Sequence, residues 1–83
     1  EGYGKVLGRP GLELRVRELC IVALLAVTGW PKQLYSHLRG ALNTGATVEQ
    51  VETTLQMALA VVDEDTERKA RATWRRLLER RGD

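Results

Sequence analysis

"LCIVALLAVTGWPKQLYSHLRGALNTG", Leu19–Gly45, decides the fold. Its first nine residues, Leu19 to Val27, are all apolar. They do not alternate with polar residues, so they do not read as a half-buried strand. Thr28 and Gly29 follow as a helix stop, because glycine enters the left-handed region without steric cost. Pro31 then opens a second helix, where its missing N–H would have no partner in any case. In that helix Leu34, Leu38, Ala41 and Leu42 recur at three- and four-residue spacing and form one stripe. "NTG", Asn43–Gly45, ends it, with Gly45 as the left-handed residue.

The same rules extend outward. The first helix begins between Leu12 and Leu14 and runs to Thr28. A third opens on Thr47, with Gln50 at capping-box spacing; its stripe is Val51, Leu55, Ala58, Leu59 and Val62. A fourth follows "DED" and carries Ala70, Trp74, Leu77 and Leu78 on one face. The acids Glu64, Asp65 and Glu67 stand at its start and Arg75, Arg76, Arg80 and Arg81 toward its end, as the helix dipole favours. The head, "EGYGKVLGRPG", residues 1–11, has four glycines and a proline and reads as an irregular arm. The expectation is an all-α bundle of antiparallel neighbouring helices in a single domain over residues 1–83, joined by short connections. The middle of the first helix is apolar on every side, so it must be surrounded. Three companions from so short a chain barely suffice, which points to cover by other subunits.

Composition narrows the function classes. A chain of 83 residues buries only about 60–65% of its unfolded surface and has a marginal core. One cysteine, Cys20, excludes an internal disulfide, and one histidine with one cysteine is too few soft ligands for a metal cage. Association between copies is the remaining support. The net charge of +2, from 13 basic and 11 acidic residues, is too even to mark a nucleic-acid binder. The apolar run falls short of the roughly 20 residues of a membrane span. These features predict a soluble, cytoplasmic protein with no nucleic-acid or membrane partner. The chain opens on Glu1 rather than Met, as a segment of a longer protein would.

"YGKVLGRPGLELRVRELCIVALLAVTG" followed by "LYSHLRGALNTGATVEQVETTLQMAL" resembles the carboxymuconolactone decarboxylase family, within the alkylhydroperoxidase D-like (AhpD-like) superfamily. The resemblance runs from Tyr3 to about Ala60. Its most specific parts are "RPGL" leading into "RVREL", and "HLRGALNTGATVEQV". It implies an all-helical cytoplasmic protein that assembles as a trimer or hexamer. The peroxidase branch carries E-x(11)-C-x-x-C-x-x-x-H. Aligned here, the glutamate is Glu18 and the histidine is His37, while Trp30 and Gln33 replace the two cysteines. The decarboxylase branch also keeps the histidine and lacks the cysteines, although its best-known members often have no acid at the position of Glu18. Many decarboxylase-like members carry a Tyr/Cys-Gly-x-Pro element after the third helix. This chain reads "VVDED", Val61–Asp65, instead.

His37, on the core-facing side of its helix, needs a partner for a ring nitrogen. Glu18 is the candidate: a carboxylate on one nitrogen fixes the tautomer and leaves the other free for acid–base work. The structural alternative is a satisfied core histidine with Glu18 on the surface. Arg17 and Arg39 are the nearest cations that would anchor a carboxylate substrate, against the alternative of surface ion pairs. Trp30 would cap the pocket, or merely pack at the turn. Cys20, inside the apolar run, reads as buried and inert. The run "RKARATWRRLLERR", residues 68–81, reads as a solvated basic face over the Trp74, Leu77 and Leu78 stripe. Three functions stay open. The favoured one is a cofactor-free, metal-free decarboxylase acting on a small carboxylated lactone or related organic acid, with His37 and Glu18 catalytic and Arg39, Arg17 and Trp30 binding substrate. The others are an antioxidant peroxidase-like protein with a degenerate C-x-x-C and a non-catalytic oligomeric binding protein.

Overall fold

The computed structural model describes residues 13–82. The arm expected over residues 1–11 lies outside them. Four helices and no strands occupy the described residues: α1 (Leu14–Thr28), α2 (Pro31–Asn43), α3 (Val48–Leu59) and α4 (Glu64–Arg81). The all-α expectation holds, and the boundaries fall where local chemistry puts them.

Gly29 ends α1 at φ +79°, and its N–H donates to the Leu25 carbonyl. Pro31 occupies the first turn of α2. At the far end of α2 the Thr44 hydroxyl donates to the Gly40 carbonyl at 2.9 Å. Gly45 then turns the chain at φ +108°, and the Ala46 N–H returns to the Ala41 carbonyl at 2.9 Å. Thr47 and Gln50 form the reciprocal capping box, both bonds at 3.0 Å. Asp63 caps α4 by accepting from the Thr66 N–H at 2.7 Å. That backbone bond, with the Thr66 side chain, holds the Asp63 carboxyl below the usual aspartate range.

The core draws on every helix: Val22 and Ala26 from α1; Leu34, Leu38 and Ala41 from α2; Val51, Leu55 and Leu59 from α3; Ala70, Trp74 and Leu77 from α4. Helix α1 packs on α2 and α3, and α2 also packs on α4. The Trp74 indole N–H donates to Glu52 Oε2 at 3.2 Å, which ties α4 to α3. Of the sequence-predicted stripes, Leu42, Ala58, Val62 and Leu78 are only partly buried.

One expectation is overturned. Cys20 is exposed, with Leu14, Leu24 and Val27. An apolar run does not say which of its sides the rest of the chain covers. Here the companions take the Val22 and Ala26 side, and Cys20 shares the opposite face with Leu24 and Val27.

Candidate functional site

Glu18 sits one turn into α1, four residues before buried Val22 and so on the inward side. His37 sits at the middle of α2, one residue before buried Leu38, at the edge of the apolar stripe that faces α1. The two side chains meet: His37 Nδ1 lies 2.9 Å from Glu18 Oε1. The Glu18 side chain retains 16% of its exposure and the His37 side chain 36%. The carboxylate is therefore the shielded member, and the imidazole reaches the surface.

Sequence reasoning missed a third member of this arrangement, Gly40. It lies one turn after His37 in regular helix, where glycine costs about 0.5–1 kcal/mol relative to alanine. A Cβ on Gly40 would stand 2.7 Å from Glu18 Oε1, closer than such atoms tolerate. The glycine is thus the floor on which the carboxylate rests. Its only signal in the sequence is a glycine inside an otherwise good helix.

The contact dictates the chemistry of the ring. An ionised carboxylate accepts and cannot donate, so Nδ1 carries the hydrogen. In the neutral ring the lone pair then resides on Nε2, which has no hydrogen-bond partner among the described residues. A proton taken up at Nε2 would make an imidazolium whose Nδ1–H faces the Glu18 carboxylate. This is the arrangement of a general acid–base oriented by a second group.

The other predicted residues do not join the pair. Arg39 is exposed, and it lies two residues, about 200° of helix, round from His37. Arg17 is half-buried, and its Nε is shielded from solvent without a hydrogen-bond partner among the described residues. Trp30 is 56% exposed and lies seven residues, about 10 Å of helix rise, before His37. With Leu25, Pro31, Leu34 and Lys69 it lines a cleft of about 230 Å³ at the α1–α2 turn, to which neither Glu18 nor His37 contributes. Cys20 is two residues past Glu18 and points away from the pair. Among the described residues no three His, Cys, Asp or Glu side chains gather as a metal-ligand set, and no helix is long and apolar enough to cross a membrane.

Comparison with known proteins adds an independent finding. The chain is 36% identical over 50 residues to the 4-carboxymuconolactone decarboxylase of Acinetobacter baylyi (strain ATCC 33305 / BD413 / ADP1). The match covers 60% of this chain and 37% of that protein, so the chain spans well under half the length of this curated relative. No solved structure matches the chain. The model of the carboxymuconolactone decarboxylase family matches residues 1–76. With that span matched and the fold all-helical, the chain belongs to the carboxymuconolactone decarboxylase family.

Proposed function

We propose that this chain is a decarboxylase-like catalytic domain that acts without a cofactor on a small carboxylated lactone or a related organic acid. The observation that carries the reading is the 2.9 Å contact between His37 Nδ1 and Glu18 Oε1. Family membership and the printed activity of the relative support the substrate class. In the reaction the bond from the substrate carbon to its carboxylate breaks and carbon dioxide leaves. The electron pair passes into a conjugated carbonyl of the substrate, giving an enolate. His37, as the imidazolium, protonates the carbon through Nε2, and solvent restores the proton. Glu18 is a positioning residue: it holds the tautomer and stabilises the charged ring. Of the residues expected to bind substrate, Arg17 stays in this proposal, with its shielded, unpartnered Nε; Arg39 and Trp30 stand away from His37 Nε2 and do not.

The test is turnover of 4-carboxymuconolactone by the purified chain. His37→Gln lowers kcat by about a hundredfold or more while the circular dichroism spectrum stays helical. Undiminished turnover in that variant sinks the reading.

The exposure of Cys20 keeps a second reading in play, a one-cysteine thiol peroxidase resolved by an external thiol. The two separate cleanly. Cys20→Ser leaves decarboxylation intact and abolishes any peroxide reduction.

Assembly of copies, as trimer or hexamer, is part of the proposal. Leu14, Leu24 and Val27 leave apolar surface on α1 open in the single chain, and such surface is what a second copy would cover.

A further inference from the structure

Helix α2 has two edges beside its buried stripe. His37 lies on the edge that meets α1. Tyr35, two residues earlier and about 200° round the helix, lies on the edge that meets α4. There Arg76 and Arg80 both reach over the Tyr35 ring, their guanidinium carbons 5.4 and 5.9 Å from its centroid. Lys32, one turn before Tyr35, completes the lining of a shallow cleft of about 240 Å³.

Charge is unevenly satisfied along α4. In its first half Arg68 and Lys69 pair with Asp65, and Arg71 pairs with Glu67. In its second half neither Arg76 nor Arg80 has an acidic partner among the described residues, and nor does Lys32 across the cleft. Glu79, between the two arginines in sequence, is exposed and bridges to neither. Like charges four residues apart on a helix repel, and a third cation on the facing helix adds to the repulsion. Stacking on Tyr35 nevertheless holds both guanidiniums at the cleft. The outcome is a concentration of positive charge that no acid among the described residues neutralises. An anion bound there would relieve it.

We propose that Lys32, Tyr35, Arg76 and Arg80 form a binding site for a phosphoryl group carried by a soluble small molecule. The planar guanidinium fork matches phosphate oxygens bidentately, and lysine supplies a further point charge. The tyrosine ring is the platform that keeps the two forks side by side. Three cations suit a multiply charged oxyanion better than a single carboxylate. The site shares no residue with the Glu18–His37 pair, so it stands whether or not that pair is catalytic.

Titration of the full 83-residue chain with pyrophosphate at constant ionic strength, followed by calorimetry, tests this. The expected result is saturable binding that Arg76→Gln and Arg80→Gln each weaken by about tenfold or more. Both residues are exposed, so the variants remain folded, which circular dichroism verifies. Arg75→Gln removes the same charge one residue away, from a side chain that lines a different cleft, and leaves the affinity unchanged. Equal losses for Arg75→Gln and Arg76→Gln would mean undirected attraction to a basic helix and overturn the proposal. Absence of saturable pyrophosphate binding overturns it too. Binding to phosphatidic acid vesicles without binding to pyrophosphate overturns the assignment to a soluble ligand.

Discussion

Gly40 has no Cβ, and the Glu18 carboxylate occupies the space one would need. This makes Gly40→Ala an informative variant. Alanine favours the helix by about 0.5–1 kcal/mol, so α2 remains formed. The added methyl displaces Oε1 and breaks its bond to His37. Turnover then falls at least to the level of Glu18→Gln, and the downfield Nδ1–H proton resonance of His37, which the amide of Glu18→Gln can still hold, disappears in Gly40→Ala. Retention of that resonance in Gly40→Ala would show that the carboxylate can bond from elsewhere and that the glycine is dispensable. The imidazole matters through its exposed nitrogen and the carboxylate through its hold on the shielded one. Glu18→Gln therefore lowers kcat less than His37→Gln does, since an amide still accepts at Nδ1 but does not stabilise the imidazolium by charge.

At the scale of the helices, stability rests on caps whose chemistry differs. Thr47 and Gln50 satisfy two backbone donors of α3 with uncharged groups. Thr47→Ala removes one of those bonds and costs about 1 kcal/mol, read as a lower urea midpoint at any pH. Asp63 caps α4 with a carboxylate, and its dependence on pH has a definite sign. Because the Thr66 backbone N–H lowers its pKa in the folded state, the stabilisation is present above the unfolded value and is lost as pH falls through the folded one. Asparagine caps without titrating over that range. The advantage of the wild type over Asp63→Asn in urea denaturation therefore shrinks from about pH 4 downward. A difference that stays constant from pH 7 to pH 2.5 would show that the charge of Asp63 plays no part in the cap.

For the molecule as a whole, the question is what a small core supports. Leu55 is completely buried, and Leu55→Ala costs about 2–5 kcal/mol. Losses of that order compete with the entire stability of a small domain, so the variant is expected to melt far below the wild type. The open apolar side of α1 would act in the other direction, since the proposed association that covers it would add stability as concentration rises. Leu24 is on that side. Leu24→Asp should move the chain to monomer in sedimentation velocity and remove the concentration dependence of Tm. A wild-type chain that sediments as a monomer would refute assembly.

Much of the fold was legible because helix boundaries obey rules that act within a few residues. Gly29, Pro31, the Thr47–Gln50 box and the acidic start of α4 each satisfy, or do without, a backbone group in their own turn. The inward faces of α2, α3 and α4 followed from spacing alone, since each has a polar side to contrast with its apolar one. Helix α1 has no such contrast over Leu19–Val27, and for that reason the exposure of Cys20 could not be read. The Glu18–His37 pair was legible only as a hypothesis: two residues 19 positions apart meet or miss according to how α1 lies on α2. The sequence by itself thus determined the four helices and the residue types available for acid–base work. Tertiary structure decided which of those residues touch. It brought Glu18 to His37 across Gly40, left Arg39 and Trp30 outside that contact, and stacked Arg76 and Arg80 on Tyr35. The physical reason is range: capping and periodicity are settled within a turn, whereas a contact between helices depends on packing that the whole core sets at once.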